Sequence, residues 1–292
     1  MESLLQALGV SQFQDLLMHY VRERGGDIGN MIDGGAGSGS TSRLIYASGN
    51  NNNGSFKVYA YEPFSGNHRF FENVDGNIVL RKAALGESRS KLTLAIPAIV
   101  TADSEWGRRG MAGYSSGGAL TTDYPIGPHD SIVEVVPADD DLPKNEKIGF
   151  VKLDLQGGEL QALKGMKRRV RDEVELMWIE YLFHPKYQSF KLLEQLEERF
   201  ILFDTEYLFK GEPSDEARDF FQISKHKNLS NGSQVWSGFK KTSWRDFKLE
   251  TAECFKRYGL IQTDLCCIKK ECLRPFLAAL NSVTEDPRCP PK

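Results

Sequence analysis

Four acids in this chain are spaced so that they could share one site. Asp33, Glu62, Asp154 and Glu180 each lie at the end of an apolar run. Asp33 opens the loop Asp33-Gly34-Gly35-Ala36-Gly37-Ser38-Gly39-Ser40, with glycine at every second position from Gly35. Glycine has no Cβ, so such a loop can take positive φ and let a ligand come against the backbone. An acid followed by these glycines, between an apolar run and a helix-forming segment, is the pattern of a nucleotide-type pocket. Glu62, which closes the next run ahead of Pro63, can accept two hydrogen bonds from a ribose diol. Asp154 and Glu180 are candidates for a general base, or together for Mg²⁺, which commonly takes one or two carboxylates plus waters and substrate oxygens. His184, just past Glu180, is a third candidate base. The dinucleotide fingerprint G-x-G-x-x-G/A fits poorly, because its third glycine falls on Ser40.

The elements that would position these residues follow from periodicity. Strands are predicted over residues 28–33, 56–61, 77–85, 148–155, 175–181, 200–209 and 263–269. Helices are predicted over 41–48, 159–171 and 189–199, with two short ones within 3–22. Alternating strands and helices argue for a mostly parallel sheet covered on both faces. Ligands of such sheets bind beyond the carboxyl ends of the strands, where strand order reverses. That rule brings Asp33, Glu62, residues 83–86, Asp154 and Glu180 to one edge. Glu159 is expected in the first turn of its helix, where a carboxylate favours the dipole. The basic run over 164–171 is expected to be a solvated helix face.

Composition narrows the function classes. The chain has 292 residues, 40% hydrophobic and 26% charged, as in ordinary globular proteins with a core. A net charge of −3 makes no electrostatic case for nucleic acid. No apolar stretch approaches the roughly 18 residues of a membrane span. Met1-Glu2-Ser3-Leu4-Leu5 lacks the basic segment and apolar core of a secretory signal, so a cytoplasmic protein is expected. Cys254, Cys266, Cys267, Cys272 and Cys289 match no paired zinc pattern, and their odd number argues against a closed disulfide framework. Cys266 and Cys267 lie in an apolar strand and read as buried, inert thiols.

The run Phe150-Val151-Lys152-Leu153-Asp154-Leu155-Gln156-Gly157-Gly158-Glu159-Leu160-Gln161-Ala162-Leu163-Lys164-Gly165 resembles the signature of FkbM-type methyltransferases. There a strand ending in K-I-D-V-E-G is followed by x-E-x-x-x-L-K-G. Lys152, Asp154, Gly157, Glu159, Leu163, Lys164 and Gly165 match. The loop after Asp33 is similar to the first motif of class I S-adenosylmethionine-dependent methyltransferases. Residues 58–63 are similar to the family's second motif, 83–86 to its third, and Trp178-Ile179-Glu180 to its next strand. The resemblance covers residues 28–209 and the strand 263–269. It implies a Rossmann-like α/β fold with a mostly parallel seven-stranded sheet. It further implies methyl transfer from S-adenosylmethionine, by in-line displacement, to a hydroxyl of a small-molecule, sugar or natural-product acceptor. Some relatives methylate amide nitrogen in peptides. The cofactor residues it implies are Asp33, Gly35, Gly37, Gly39, Ser40, Glu62, Pro63, Ala84 and Asp154; catalysis falls among Asp154, Glu180 and His184. One departure stands out: the family's usual Glu is Gln156 here, which keeps shape and hydrogen bonding but loses charge and basicity.

Residues 1–27 are expected as N-terminal helices and 284–292 as a flexible tail. Between them, 28–283 form the catalytic domain, with substrate-shaping insertions at 88–147 and 210–258. The glycine-rich stretch Gly110–Gly118 could hinge a lid, and Trp106, Tyr114, Tyr124, Phe183, Tyr187 and Trp236 could wall an acceptor site. Two other readings stay open, an NAD-dependent oxidoreductase on a similar fold and a cofactor-binding protein without catalysis.

Overall fold

The computed structural model describes residues 20–21, 24–49, 56–96, 102–103, 119–121, 131–183, 187–210, 224–225, 235–238 and 261–276. In chain order the strands are β1 (Asn30–Gly34), β2 (Val58–Tyr61), β3 (Ile78–Arg81), β4 (Ala84–Leu85), β5 (Ser90–Ala95), β6 (Ala119–Thr121) and β7 (Ser131–Val136). They continue as β8 (Ile148–Leu153), β9 (Leu176–Phe183), β10 (Phe200–Lys210), β11 (Ser224–Lys225), β12 (Val235–Gly238) and β13 (Ile261–Lys269). The α-helices are α1 (Ser40–Gly49), α2 (Ala138–Asp141), α3 (Glu159–Lys164), α4 (Lys167–Asp172) and α5 (Ser189–Glu197).

The main sheet has the order β11-β12-β10-β13-β9-β8-β1-β2-β3. Strands β3, β2, β1, β8 and β9 run parallel, and β13 enters antiparallel between β9 and β10. The seven strands from β10 to β3 are the mostly parallel sheet expected; β12 and β11 extend it antiparallel at one edge. Chain order reverses between β1 and β8, so the switch-point crevice lies beyond the carboxyl ends of these two strands.

Both faces of the sheet are covered, which is why its strands are nearly continuous apolar runs. Every residue of β8 is buried. Alternate residues serve opposite cores: Ile32, Tyr59, Val151, Ile179 and Cys267 on one face, Met31, Val58, Phe150, Leu176 and Cys266 on the other. Cys266 and Cys267 are therefore buried as expected, and burial pushes both thiols well above the usual range. No described helix is long and apolar enough to cross a membrane.

Two predicted elements are divided by tertiary contacts. The strand expected over 77–85 is β3 in the main sheet and β4 in a second sheet of order β4-β7-β5-β6. The chain turns at Ala83, whose N–H donates to Arg81 O at 2.8 Å, and β4 then pairs in parallel with Val135 and Val136. The helix expected over 159–171 breaks into α3 and α4 at Gly165, where a Cβ would sit 1.9 Å from the carbonyl oxygen of Gly86. Asp139 supplies the start of α4 from across the chain, its carboxylate accepting the N–H groups of Arg168 at 2.8 Å and Arg169 at 3.3 Å.

The basic run is correspondingly not a plain solvated face. Arg169 is fully buried, donating to the carbonyls of Leu142, Pro143 and Glu146 and pairing with Glu173 at 3.0 Å. It ties the 138–146 segment to the helix layer. Apolar periodicity cannot foresee a guanidinium used as an internal strut, because its partners are carbonyls distant in sequence.

Candidate active site

The β1–α1 loop carries the first acid. Asp33, the fourth residue of β1, is fully buried, and its Oδ2 accepts from Ser42 Oγ at 2.6 Å. Its Oδ1 has no hydrogen-bond partner and lies 3.5 Å from Lys152 Nζ. Gly35, at φ +73°, turns the chain; a Cβ there would be 2.0 Å from the Asp154 carbonyl oxygen, so this position requires glycine for space as well as conformation. The N–H groups of Gly35 and Ala36 both donate to Tyr61 O, which pins the loop to the end of β2. Gly37 and Gly39 also have positive φ, and Ser40 begins α1 with its side chain exposed.

Glu62 follows β2 and points into this loop. Its Oε2 accepts the Gly37 N–H at 2.7 Å and its Oε1 the Phe64 N–H at 2.8 Å. Burial pushes its pKa up to about 7, against the pull of these backbone bonds and of Asn67. Pro63 continues the turn, and the ring of His68 is held against Glu62 O at 2.8 Å.

The third group gathers at the end of β8 and at the level of Glu180 within β9, which runs three residues past that acid instead of ending there. Lys152 pairs with Asp33 across the β1–β8 register, and Asp154, one residue past β8, stands beside Glu180 of the neighbouring strand β9. Lys152 Nζ, 8% exposed, lies 3.3 Å from Asp154 Oδ2 and donates to Gly35 O at 3.4 Å. Burial opposes its charge, but Asp154 and Asp33 outweigh that and raise its pKa. Asp154, whose side chain is 41% exposed, is held below the usual carboxylate range. Burial would raise it; Lys152 and the hydrogen bonds from Gln156 and Glu180 prevail. Glu180 goes the other way, pushed well up by burial and by the charges of Asp154, Glu159 and Asp264. Gln156 Nε2 reaches both acids, at 2.8 Å from Asp154 Oδ1 and 2.8 Å from Glu180 Oε2.

Glu159 is part of the scaffold. Its Oε1 accepts the N–H of Leu155 at 2.7 Å and of Gly157 at 3.3 Å, closing the turn between β8 and α3. Burial raises its pKa from the ordinary 4.5 to about 7. Between these values the folded protein holds a proton that the unfolded chain has released, so stability falls as pH rises and the whole loss is present above pH 7. Glu159→Gln keeps the one oxygen that accepts both N–H groups and carries no charge. It is expected to melt a few degrees above the parent at pH 8 and level with it at pH 5, measured by calorimetric melting. A constant difference at both pH values would contradict this account.

Not every expected site residue arrives at this edge. Asp33, Gly35, Gly37, Glu62, Asp154 and Glu180 are joined by the contacts above, while Gly39 donates its N–H to Ala36 O within the loop at 2.8 Å. Ala84 instead lies inside the second sheet's core with Leu94, Val133 and Val135, because β4 has left the main sheet. Leu85 is the residue that reaches the loop, 3.0 Å from where a Gly34 Cβ would be. His184 lies outside the described residues, as do Trp106, Tyr114 and Tyr124. Tyr187 is placed against the β8 turn, its ring 2.5 Å from where a Cβ on Gly157 would stand. Among the described residues no three His, Cys, Asp or Glu side chains are grouped to hold a metal ion. Lys152 and Ser42 were not foreseen as site residues. The signal for Lys152 was a single ammonium inside the otherwise apolar run of β8.

A mostly parallel sheet of this order, with its glycine loop and acids at the carboxyl edge, is the Rossmann-like fold of class I methyltransferases. The chain belongs to the FkbM methyltransferase family: the methyltransferase FkbM domain matches residues 33–210. Two solved structures are similar to it. One is methyltransferase FkbM from Methylobacillus flagellatus, with 18% identity, a TM-score of 0.36 and coverage of 72% of this chain and 43% of that one. This chain thus spans less than half the length of that protein. The other is precorrin-6y C5,15-methyltransferase from Geobacter metallireducens, with 16% identity, a TM-score of 0.37 and coverage of 79% and 89% respectively. No curated protein matches the chain.

Proposed function

We propose that this protein transfers the methyl group of S-adenosylmethionine to a hydroxyl of a small-molecule, sugar or natural-product acceptor. The observation that carries the reading is the charge at the carboxyl edge. Among the described residues, Asp33, Asp154 and, above pH 7, Glu62 are set against the ammonium of Lys152. A net negative edge suits a sulfonium cation and opposes a pyrophosphate. The Gly37 N–H, which a dinucleotide phosphate would need, already donates to Glu62.

The residues present fit the cofactor. Each Glu62 oxygen accepts one backbone N–H, Asn67 donates to the same carboxylate, and one acceptor position is left for a ribose hydroxyl. Asp33 is fully buried, so its part is to hold the loop through Ser42 and Lys152 rather than to reach a ligand. When bound, S-adenosylmethionine supplies an activated methyl on a positive sulfur. The protein's share is then alignment, at about 3–3.5 Å between reacting atoms, and exclusion of water. Asp154 is ionised and partly open, so its carboxylate can orient the acceptor O–H and receive its proton as the oxygen–carbon bond forms. Burial and the neighbouring acids push the Glu180 carboxyl well above the usual range, toward its protonated form, which favours Asp154 for this part.

Calorimetric titration with S-adenosylmethionine, S-adenosylhomocysteine and NAD⁺ tests the cofactor. The first two are expected to bind and NAD⁺ not to; NAD⁺ binding alone would overturn the reading. Transfer of labelled methyl to members of a sugar and alcohol panel is then expected. Label appearing only in peptides would move the acceptor atom to nitrogen.

A further inference from the structure

We propose that Gln156 is a positioning residue whose side-chain amide clamps the carboxyls of Asp154 and Glu180 into one singly charged pair, in the place where a third acid or a cation would otherwise stand. That the pair faces the methyl acceptor rests on the function proposed above; the clamp itself does not.

Backbone strain at this position is the first observation. Gln156 has φ +54°, and among the described residues the other non-glycine residue with positive φ is Gln188. A left-handed non-glycine residue is destabilising by about 1 kcal/mol or more and persists where its surroundings demand it. Glycine would fit this backbone without strain, so what glutamine adds is its side chain.

Where that side chain goes is the second observation. One amide nitrogen lies 2.8 Å from Asp154 Oδ1 and 2.8 Å from Glu180 Oε2, carboxyls borne by neighbouring strands. An amide NH₂ has two protons, one for each. A glutamate here would bring a third carboxyl and no donor.

The charges around the pair make a neutral clamp necessary. Lys152 on β8 is already shared between Asp154 and Asp33 of β1. Glu159 of α3 and Asp264 of β13, paired in register with Glu180, add further acids. Lys152 also feels the charge of Glu180, and the Asp154 and Glu180 carboxyls are hydrogen-bonded to each other, so two close carboxyls of which one carries the shared proton is the stable arrangement.

The test follows side-chain carboxyl ¹³C signals of the labelled protein through a pH titration of the parent, Gln156→Gly and Gln156→Glu. Gln156→Gly relieves the strained backbone, so folding is not at stake. Asp154 is expected to become about a ten-fold weaker acid in Gln156→Gly, the loss of one charge-assisted hydrogen bond. Gln156→Glu, titrated calorimetrically with MnCl₂, is expected to take up the ion, and the parent not to. An unchanged Asp154 titration in folded Gln156→Gly overturns the clamp, as does Mn²⁺ uptake by the parent at this pair. A purely structural glutamine would alter the melting temperature and leave the titration in place. Neither readout involves S-adenosylmethionine, so failure of the parent to bind it would refute the proposed function while leaving the clamp to be judged by its own result.

Discussion

Glu62→Ala is expected to weaken S-adenosylmethionine binding by about ten- to hundred-fold at pH 8, the range of one or two hydrogen bonds to a charged group. The effect is large because the carboxylate is preorganised. Gly37 and Phe64 fix its two oxygens before any ligand arrives, so little ordering remains to be done on binding. Glutamine is a poor substitute here. Both oxygens of Glu62 face N–H donors, and an amide would set its own NH₂ against one of them. The pH dependence has a definite sign. With a pKa of about 7, Glu62 is ionised at pH 8 and largely protonated at pH 6, where it loses an acceptor. Affinity in the parent should therefore fall as pH drops through 7, while Glu62→Ala should be flat over that interval. Calorimetry at pH 6 and pH 8 on both proteins decides the matter. Parent-like affinity in folded Glu62→Ala would remove this residue from the cofactor site.

The second large effect is on stability. Lys152→Met is expected to lower the unfolding free energy by about 3–5 kcal/mol at pH 8, the usual result of stripping the partner from a buried charge. Methionine fills the same length of cavity, so the loss isolates the ammonium from the packing of its stem. Asp33 is fully buried and would keep only Ser42; Asp154 would keep Gln156 but lose its cation. The carboxyls of such a variant hold protons more tightly than in the unfolded chain. Its stability should consequently recover as pH falls from 8 to 5, narrowing the gap to the parent. Urea unfolding at the two pH values measures this. An equal deficit at both would mean that lost packing, not unpaired charge, is responsible.

Much of the scaffold was legible in the sequence because it depends on local pattern. Runs such as those of β1, β2, β8 and β9 are apolar at consecutive positions because the sheet is buried on both faces; the first three end at an acid, while β9 carries Glu180 three residues before its end. The spacing of Gly35, Gly37 and Gly39 likewise announced a loop of positive φ. Asp33, Glu62, Asp154 and Glu180 were therefore expected along one edge of the sheet.

What the tertiary structure alone decided concerns partners far apart in the chain. Whether Asp33 faces a ligand or the interior depends on Ser42 and Lys152, and the answer is the interior. The departure of β4 into a second sheet set the Ala84 side chain in that sheet's core, against which Phe64 packs, and brought Leu85 to the loop. The helix break at Gly165 arises from the carbonyl of Gly86, a contact no periodicity records. The sequence shows Gln156 as a lost charge with hydrogen bonding kept; that its amide joins two acids required the register of β8 against β9. Residue type and spacing determine which groups can ionise, turn or hydrogen-bond. Which of them meet, and so which keep their charge, is set by the low-dielectric neighbourhood that only the assembled fold creates.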